Sequence, residues 1–372
     1  MTAHPKLGTS AGAFPTKGYF LWCRRSSTNE GRPDATSSPC GKVDLDAPSY
    51  TETIHRKHPD RRDPPTSRIG LGLAALGRPG YINLGHASDM AGHADEGSMQ
   101  RRAYAVLDAA YSLGVRYFDA ARSYGKAEEF LAGWLADRGL GPPEVAIGSK
   151  WGYTYTADWQ VQAAVHEVKD LSVESYRRQL AESLNLLGTN LGLYQIHSAT
   201  LESGVLDDQA VLDDLAQLRE SGVSVGLSVT GPRQAQTIER ALATGGFDTV
   251  QATWNLLEPS AGTALAEAHN AGMTVIVKEA LANGRLTARG AIPLLAQLAH
   301  RADSSPDALS IAAALAQPWA DIVLSGAATV AEVTSNAAAL HLEPDPGWMA
   351  PLSALPEDPE TYWKTRAALP WN

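Results

Sequence analysis

From Arg68 onward the chain alternates short, almost continuous apolar runs with longer stretches whose apolar residues recur three and four positions apart. The short runs read as buried strands: IGLGLAAL (69–76), VRYFDAA (115–121), EVAIGSK (144–150), LGLYQIHS (191–198), VSVGLSV (223–229), DTVQATWN (248–255), MTVIVKEA (273–280) and DIVLSG (321–326). Between them KAEEFLAGWLAD (126–137), ESYRRQLAESLNLLG (174–188) and DDLAQLRESG (213–222) carry the spacing of amphipathic helices. Strict alternation of strand and helix implies parallel strands joined by crossover helices, and the number of strands predicts a closed (β/α)8 barrel rather than an open sheet. A doubly wound dinucleotide fold should open with a glycine fingerprint running straight into a helix. The glycines of GLGLAALG are followed instead by RPGYINLGHASDMAGH, which reads as a loop.

Residues 1–67 have a different texture. They hold 8 of the 22 prolines, many Ser and Thr, and 10 Lys plus Arg against 7 Asp plus Glu, without sustained apolar periodicity. Such a segment buries too little surface to offset its ordering entropy, so it is expected to be a mostly disordered extension, with 68–372 as the barrel and its tail. GYFLW (18–22) is its one apolar patch, and reads either as a docking arm or as part of a tolerated extension. Cys23 and Cys40 lie here too, with neither metal-ligand spacing nor a disulfide framework around them.

The net charge of -10 argues against nucleic acid or an anionic membrane as partner, since both repel a polyanion. No stretch approaches the roughly 20 apolar residues that span a bilayer, and the start, MTAHPKLGTS, does not read as a secretion signal. A cytoplasmic location is the expectation.

Barrels of this kind carry their chemistry at the carboxyl ends of the strands. Asp119 stands near the end of the second predicted strand, Tyr124 in its loop, Lys150 at the end of the third and His197 near the end of the fourth. Strand alternation puts Val115, Tyr117 and Asp119 on one face. Taken singly, Asp119 also reads as a helix cap, Lys150 as a solvated strand terminus and His197 as a core histidine. Their gathering at one end of three successive strands is what points to a site.

At this point GVRYFDAARSYGKAEEFLAGWL, IGSK, LGLYQIHS and LANGRLT resemble the aldo-keto reductases over about Arg68 to Leu342. The resemblance implies NAD(P)H-dependent reduction of a small carbonyl compound, or oxidation of the corresponding alcohol. Asp119, Tyr124, Lys150 and His197 match that family's tetrad. In it Tyr124 would exchange the proton, Lys150 would lower the pKa of the phenol, Asp119 would hold the ammonium, and a neutral His197 would orient the carbonyl. No metal is required.

The same resemblance implies that Ser228 and Gln251 hydrogen-bond the carboxamide, that Leu281 and the turn after it cover the pyrophosphate, and that Gly326, Thr329 and Asn336 meet the adenosine end. Three departures matter. Val229 stands where the family usually has asparagine, Lys278 where many members place a tyrosine against the nicotinamide, and Glu332 where NADP-preferring members carry a cation. The last favours NADH over strict dependence on NADPH.

Aromatic candidates for the substrate wall are Tyr81, Trp151 and Trp254, with His86, Tyr153, Tyr155, Trp159 and the tail tryptophans Trp348, Trp363 and Trp371 behind them. Two other readings stay open: a cofactor-sensing regulatory subunit, and a barrel lyase or isomerase using Lys150 as a Schiff-base amine. The oligomeric state is not readable.

Overall fold

The computed structural model describes residues 67–372 apart from 91 and 93. The GYFLW patch, Cys23, Cys40 and the expected disorder of the extension therefore lie outside the described residues.

Eight parallel strands close on themselves. In chain order the strands are β1 (Ile69–Gly72), β2 (Tyr117–Asp119), β3 (Ala146–Trp151), β4 (Tyr153–Tyr155), β5 (Glu167–Lys169), β6 (Leu191–Ala199), β7 (Ser224–Val229), β8 (Thr249–Thr253), β9 (Thr274–Lys278) and β10 (Ile322–Ser325). The barrel order is β1-β10-β9-β8-β7-β6-β3-β2, while β4 and β5 form an antiparallel hairpin outside it. All eight predicted strands are present, and the hairpin is an insertion the apolar pattern does not announce.

The crossovers are helical, and their sequences show why. Helix α1 (His86–Met90) is short. In α2 (Glu96–Ser112), Met99, Ala103, Val106, Leu107 and Ala110 are buried along one stripe, and Asp95 caps the start by accepting from Ser98 N at 2.9 Å. After α3 (Ala127–Arg138), α4 (Val173–Leu187) buries Tyr176, Gln179, Ser183 and Leu187 at the same spacing behind the cap Ser172. The remaining helices are α5 (Gln209–Glu220), α6 (Gln234–Thr244), α7 (Gly262–Asn270), α8 (Pro293–Arg301), α9 (Pro306–Leu315), α10 (Val330–Ala337), α11 (Pro346–Leu352) and α12 (Pro359–Ala367).

Two separate layers of apolar packing result. The larger fills the space between strands and helices, and a smaller cluster of Tyr117, Ala146, Leu193, Ile276, Ile322 and Leu324 plugs the barrel interior. Tyr117 is bulky enough to require glycine opposite it: a Cβ on Gly148 would lie 2.4 Å from its hydroxyl, and one on Gly70 2.9 Å from its ring. This plug is the floor under the mouth. The registers Asp119↔Gly148, Lys150↔Gln195, Ser228↔Gln251 and Thr253↔Lys278 bring the strand ends level above it.

Candidate active site

The segment DAARSYG is fastened at every step. Ala120 N donates to Gly148 O at 2.8 Å and Arg122 N to Lys150 O at 3.0 Å, so the chain stays against β3 beyond the end of β2. Arg122 then turns outward onto Glu128 and Glu182. Glu128 is buried and also accepts from Ser149 at 2.5 Å and Ser183 at 2.7 Å, tying α3, β3 and α4 together behind the site. The turn from Ala121 brings Tyr124 back over the strand end. Gly125 has φ +59°, and a Cβ there would lie 2.4 Å from Gly77 O. Only glycine lets the two loops approach this closely.

Asp119 is 2% exposed and Lys150 1%. They form a direct ion pair through Asp119 Oδ2, and Lys150 Nζ also donates to Ala120 O at 2.9 Å. The other carboxylate oxygen, Oδ1, accepts from Tyr117 OH at 2.8 Å and Gln251 Nε2 at 3.0 Å. A buried ion pair with its remaining lone pairs satisfied is the arrangement that survives desolvation. Lys150 Nζ lies 5.1 Å from the centroid of the Tyr124 ring, and the rings of Tyr124 and His197 meet edge to face at 5.5 Å. All four sequence-predicted residues thus surround one spot.

His197 sits on an irregularity of β6, where the register shifts between Ile196 and Ala199 and Ser198 has φ +57°. Burial holds its imidazole well below the usual range, and Lys150 and Lys278 add to the effect, so it is neutral. Among the described residues its Nδ1 has no hydrogen-bond partner. At Tyr124, burial, and next the Asp119 carboxylate, hold the phenol far above its ordinary range; the cation that works against them is Arg78, whereas the Lys150 ammonium is engaged by Asp119 and Ala120 O. At neutral pH the phenol keeps its proton.

Arg78 is a residue that sequence reasoning missed. It is buried, its guanidinium lies 5.3 Å from the Tyr124 ring centroid, 5.4 Å from Tyr81 and 4.8 Å from Trp371, and it donates to Glu167 at 2.6 Å and Ser123 O at 3.1 Å. Placed in an irregular loop after β1, it carries no periodic signal. Its partner Glu167 comes from the unforeseen hairpin.

A cavity of about 630 Å³ opens above these groups and runs from Tyr124, His197 and Tyr153 past Gln251, Lys278 and Leu281 to Gly326, Glu332 and Asn336. Tyr81 and Trp371 line the near end; Trp371 stacks on His166 at 3.9 Å, and Tyr81 exchanges two backbone hydrogen bonds of 3.1 Å with Asn372. Trp151 and Trp254 are not brought to it. Trp151 is fully buried against Tyr176, and Trp254 packs on Trp319. Trp159 meets Phe130 and donates to Ala94 O at 2.8 Å, and His86 is buried.

Two cofactor-side residues have contacts other than those implied. Ser228 Oγ accepts from Ser198 N at 2.8 Å and so pins the backbone beside His197, and Thr329 caps α10 by accepting from Glu332 N at 3.2 Å. Gly326 lines the cavity, and a Cβ there would stand in open space. Asn336 is buried and shares a hydrogen bond of 2.8 Å with Ser325. Leu281 begins a turn through left-handed Ala282 and Asn283 along the same wall. Glu332 reaches Arg289 at 3.4 Å, and Arg289 is held by Asp89. An elongated, walled cleft with polar groups at both ends suits an extended dinucleotide, so the residues present fit such a cofactor.

A closed parallel barrel with a carboxylate, its ammonium partner, a phenol and an imidazole gathered at its carboxyl mouth fits a barrel oxidoreductase. The chain belongs to the aldo/keto reductase family, whose model matches residues 68–354; members of that family are NAD(P)H-dependent carbonyl reductases. It is 25% identical over 245 residues to D-threo-aldose 1-dehydrogenase of Pseudomonas sp, covering 61% of this chain and 71% of that protein. It is 26% identical over 238 residues to the uncharacterized oxidoreductase YrpG of Bacillus subtilis (strain 168), covering 59% and 66%. Among solved structures it is similar to the holo form of aldo-keto reductase AKR11C1 from Bacillus halodurans, with TM-score 0.60, 20% identity and coverage of 79% and 93%. No helix among the described residues is long and apolar enough to cross a membrane.

Proposed function

We propose that the protein exchanges a hydride between a nicotinamide nucleotide and a small carbonyl compound or its alcohol, with Tyr124 as the proton-exchanging group. The observation that carries this reading is the convergence of Tyr124, His197 and the buried Asp119 and Lys150 pair on one end of the cleft. When bound, the nucleotide supplies or takes the hydride. The chain supplies the rest. Tyr124, protonated, donates to the oxygen that gains charge as a carbonyl is reduced. Neutral His197 orients that oxygen, and Lys150 holds positive charge beneath the ring while Asp119 fixes its position. Tyr153 and Glu167 of the hairpin and Trp371 wall the reacting end.

The walls offer both aromatic faces and charge, Tyr81, Tyr153 and Trp371 beside Arg78 and Glu167, which suits a polyhydroxylated or ring-bearing substrate. An aldose of the kind named for the Pseudomonas relative falls in that class. The buried, doubly bonded Lys150 amine does not favour Schiff-base chemistry. For the cofactor, Arg289 faces two carboxylates, Asp89 and Glu332, so among the described residues the adenosine end offers no unpaired cation for a 2'-phosphate, and we take NADH to be used at least as well as NADPH. A cytoplasmic setting goes with this reading, and cell fractionation would check it.

The test is Tyr124→Phe, assayed with NADH and NADPH against aldehydes, ketones and aldoses. The variant should bind nucleotide as the parent does and lose roughly 10²-fold or more in turnover. Undiminished turnover would remove the assignment.

A further inference from the structure

The oxidised nicotinamide ring carries a full positive charge and the reduced ring none, so a fixed charge beside it discriminates between the two forms. The barrel order places β2, β3 and β6, which carry Asp119, Lys150 and His197, along one arc of the rim. Strand β9 lies on the facing arc, three strands from β2 in one direction and three from β6 in the other. A substrate oxygen held between Tyr124 and His197 therefore leaves the hydride-carrying ring between the substrate and the β9 side. There Lys278, the last residue of β9, lines the same cleft.

The surroundings of Lys278 leave its charge unneutralised. Its Nζ donates to the neutral Thr253 hydroxyl at 2.8 Å and lies 5.8 Å from the Trp363 ring centroid. Its nearest carboxylate among the described residues, Glu279, stands 3.9 Å away and is gripped by Arg366 through contacts of 2.5 to 3.0 Å. Two partly buried cations share one partly buried anion, a sum of +1 for the cluster. Lys150, the other lysine of the rim, has Asp119 to itself.

We infer that Lys278 sets a positive charge against the far face of the nicotinamide, so that the site retains the reduced nucleotide and releases the oxidised one. This rests on the nucleotide-binding reading above. The surroundings keep the charge within reach of titration: burial draws the pKa of Lys278 down to about 8, opposed by Glu279 and Asp119 and reinforced by Arg366 and Lys150. Glu279 cannot compensate further, because Arg366 claims it; burial pushes its carboxyl up, but Arg366, then Lys278, outweigh that and hold it at about 2. The preference for the reduced form should accordingly fade as the pH rises through 8.

The experiment titrates the full-length protein with NADH and, separately, NAD+, by protein fluorescence or calorimetry at pH 7 and pH 9, in the parent, Lys278→Met and Lys278→Arg. The ratio of the two affinities should fall about tenfold in Lys278→Met, a modest fraction of a direct charge interaction in a partly buried site, and stay near the parent value in Lys278→Arg. The parent ratio should move toward that of Lys278→Met at pH 9. Equal weakening of both nucleotides in Lys278→Met, or an unchanged ratio, would overturn the inference while leaving the oxidoreductase reading intact. Failure of the parent to bind either nucleotide would remove both. Should Lys278→Met not fold, Lys278→Gln at pH 7 decides, and an unchanged ratio there overturns it.

Discussion

Arg78 stands over the ring of Tyr124 at 5.3 Å, and it is the cation that most opposes the burial of that phenol. Removing it should raise the phenol further. In Arg78→Met turnover at pH 7 should be lower by roughly tenfold as the proton-donating geometry loosens. Arg78→Lys should recover part of that loss. Undiminished turnover in Arg78→Met would assign Arg78 to packing alone.

Asp119→Asn leaves the Lys150 ammonium buried with no carboxylate. The expected cost is about 3 kcal/mol of stability, read from urea unfolding. The double variant Asp119→Asn with Lys150→Met should recover most of it while remaining inactive. If the single variant is as stable as the parent, the pair is not the structural anchor its burial suggests.

At the adenosine end, Glu332→Gln should free Arg289 from one of its two carboxylates. Use of NADPH relative to NADH should then rise severalfold in kcat/KM, and further in Glu332→Lys. A ratio that stays put would place the ribose elsewhere.

Acid should destabilise the protein through its buried imidazoles. Burial holds His86 at about 4, against an ordinary value of 6.5, and His197 is lowered in the same sense. As the pH falls below 6.5 the unfolded chain takes up protons that the folded chain refuses until about 4, so stability is full above 6.5 and declines across that window. For His86 the loss is on the order of 3 kcal/mol. His86→Leu should flatten the dependence in denaturation curves at pH 7.5, 6 and 5.

The strands were legible because a parallel barrel buries both of their faces, which leaves unbroken apolar runs. Their ends were not. Leu73 to Leu76 continue the run of β1 but turn on themselves, with Leu76 N bonded to Leu73 O at 3.0 Å, because hydrophobicity reports burial and not pairing. Asp119, Lys150 and His197 could be picked out because each falls at or near a strand end, and Tyr124 because it stands in the loop just beyond one. Parity would have removed Trp151 from the substrate wall: Lys150 points inward, so its neighbour must face the helices, where Tyr176 receives it. The hairpin of Tyr153–Tyr155 with Glu167–Lys169 left no trace, since VHEVKD is polar and its partner lies in a separate stretch of chain. Arg78 depends on that hairpin and was hidden with it.

The paired backbones of Tyr81 and Asn372 join positions 291 residues apart and complete the wall that Trp371 shares. A product lacking only its last few amino acids would keep every paired strand of the barrel and still present a breached reaction chamber. For this molecule, soundness of the scaffold and competence of the chamber are separate properties, and nicking near residue 368 is the lesion that would part them.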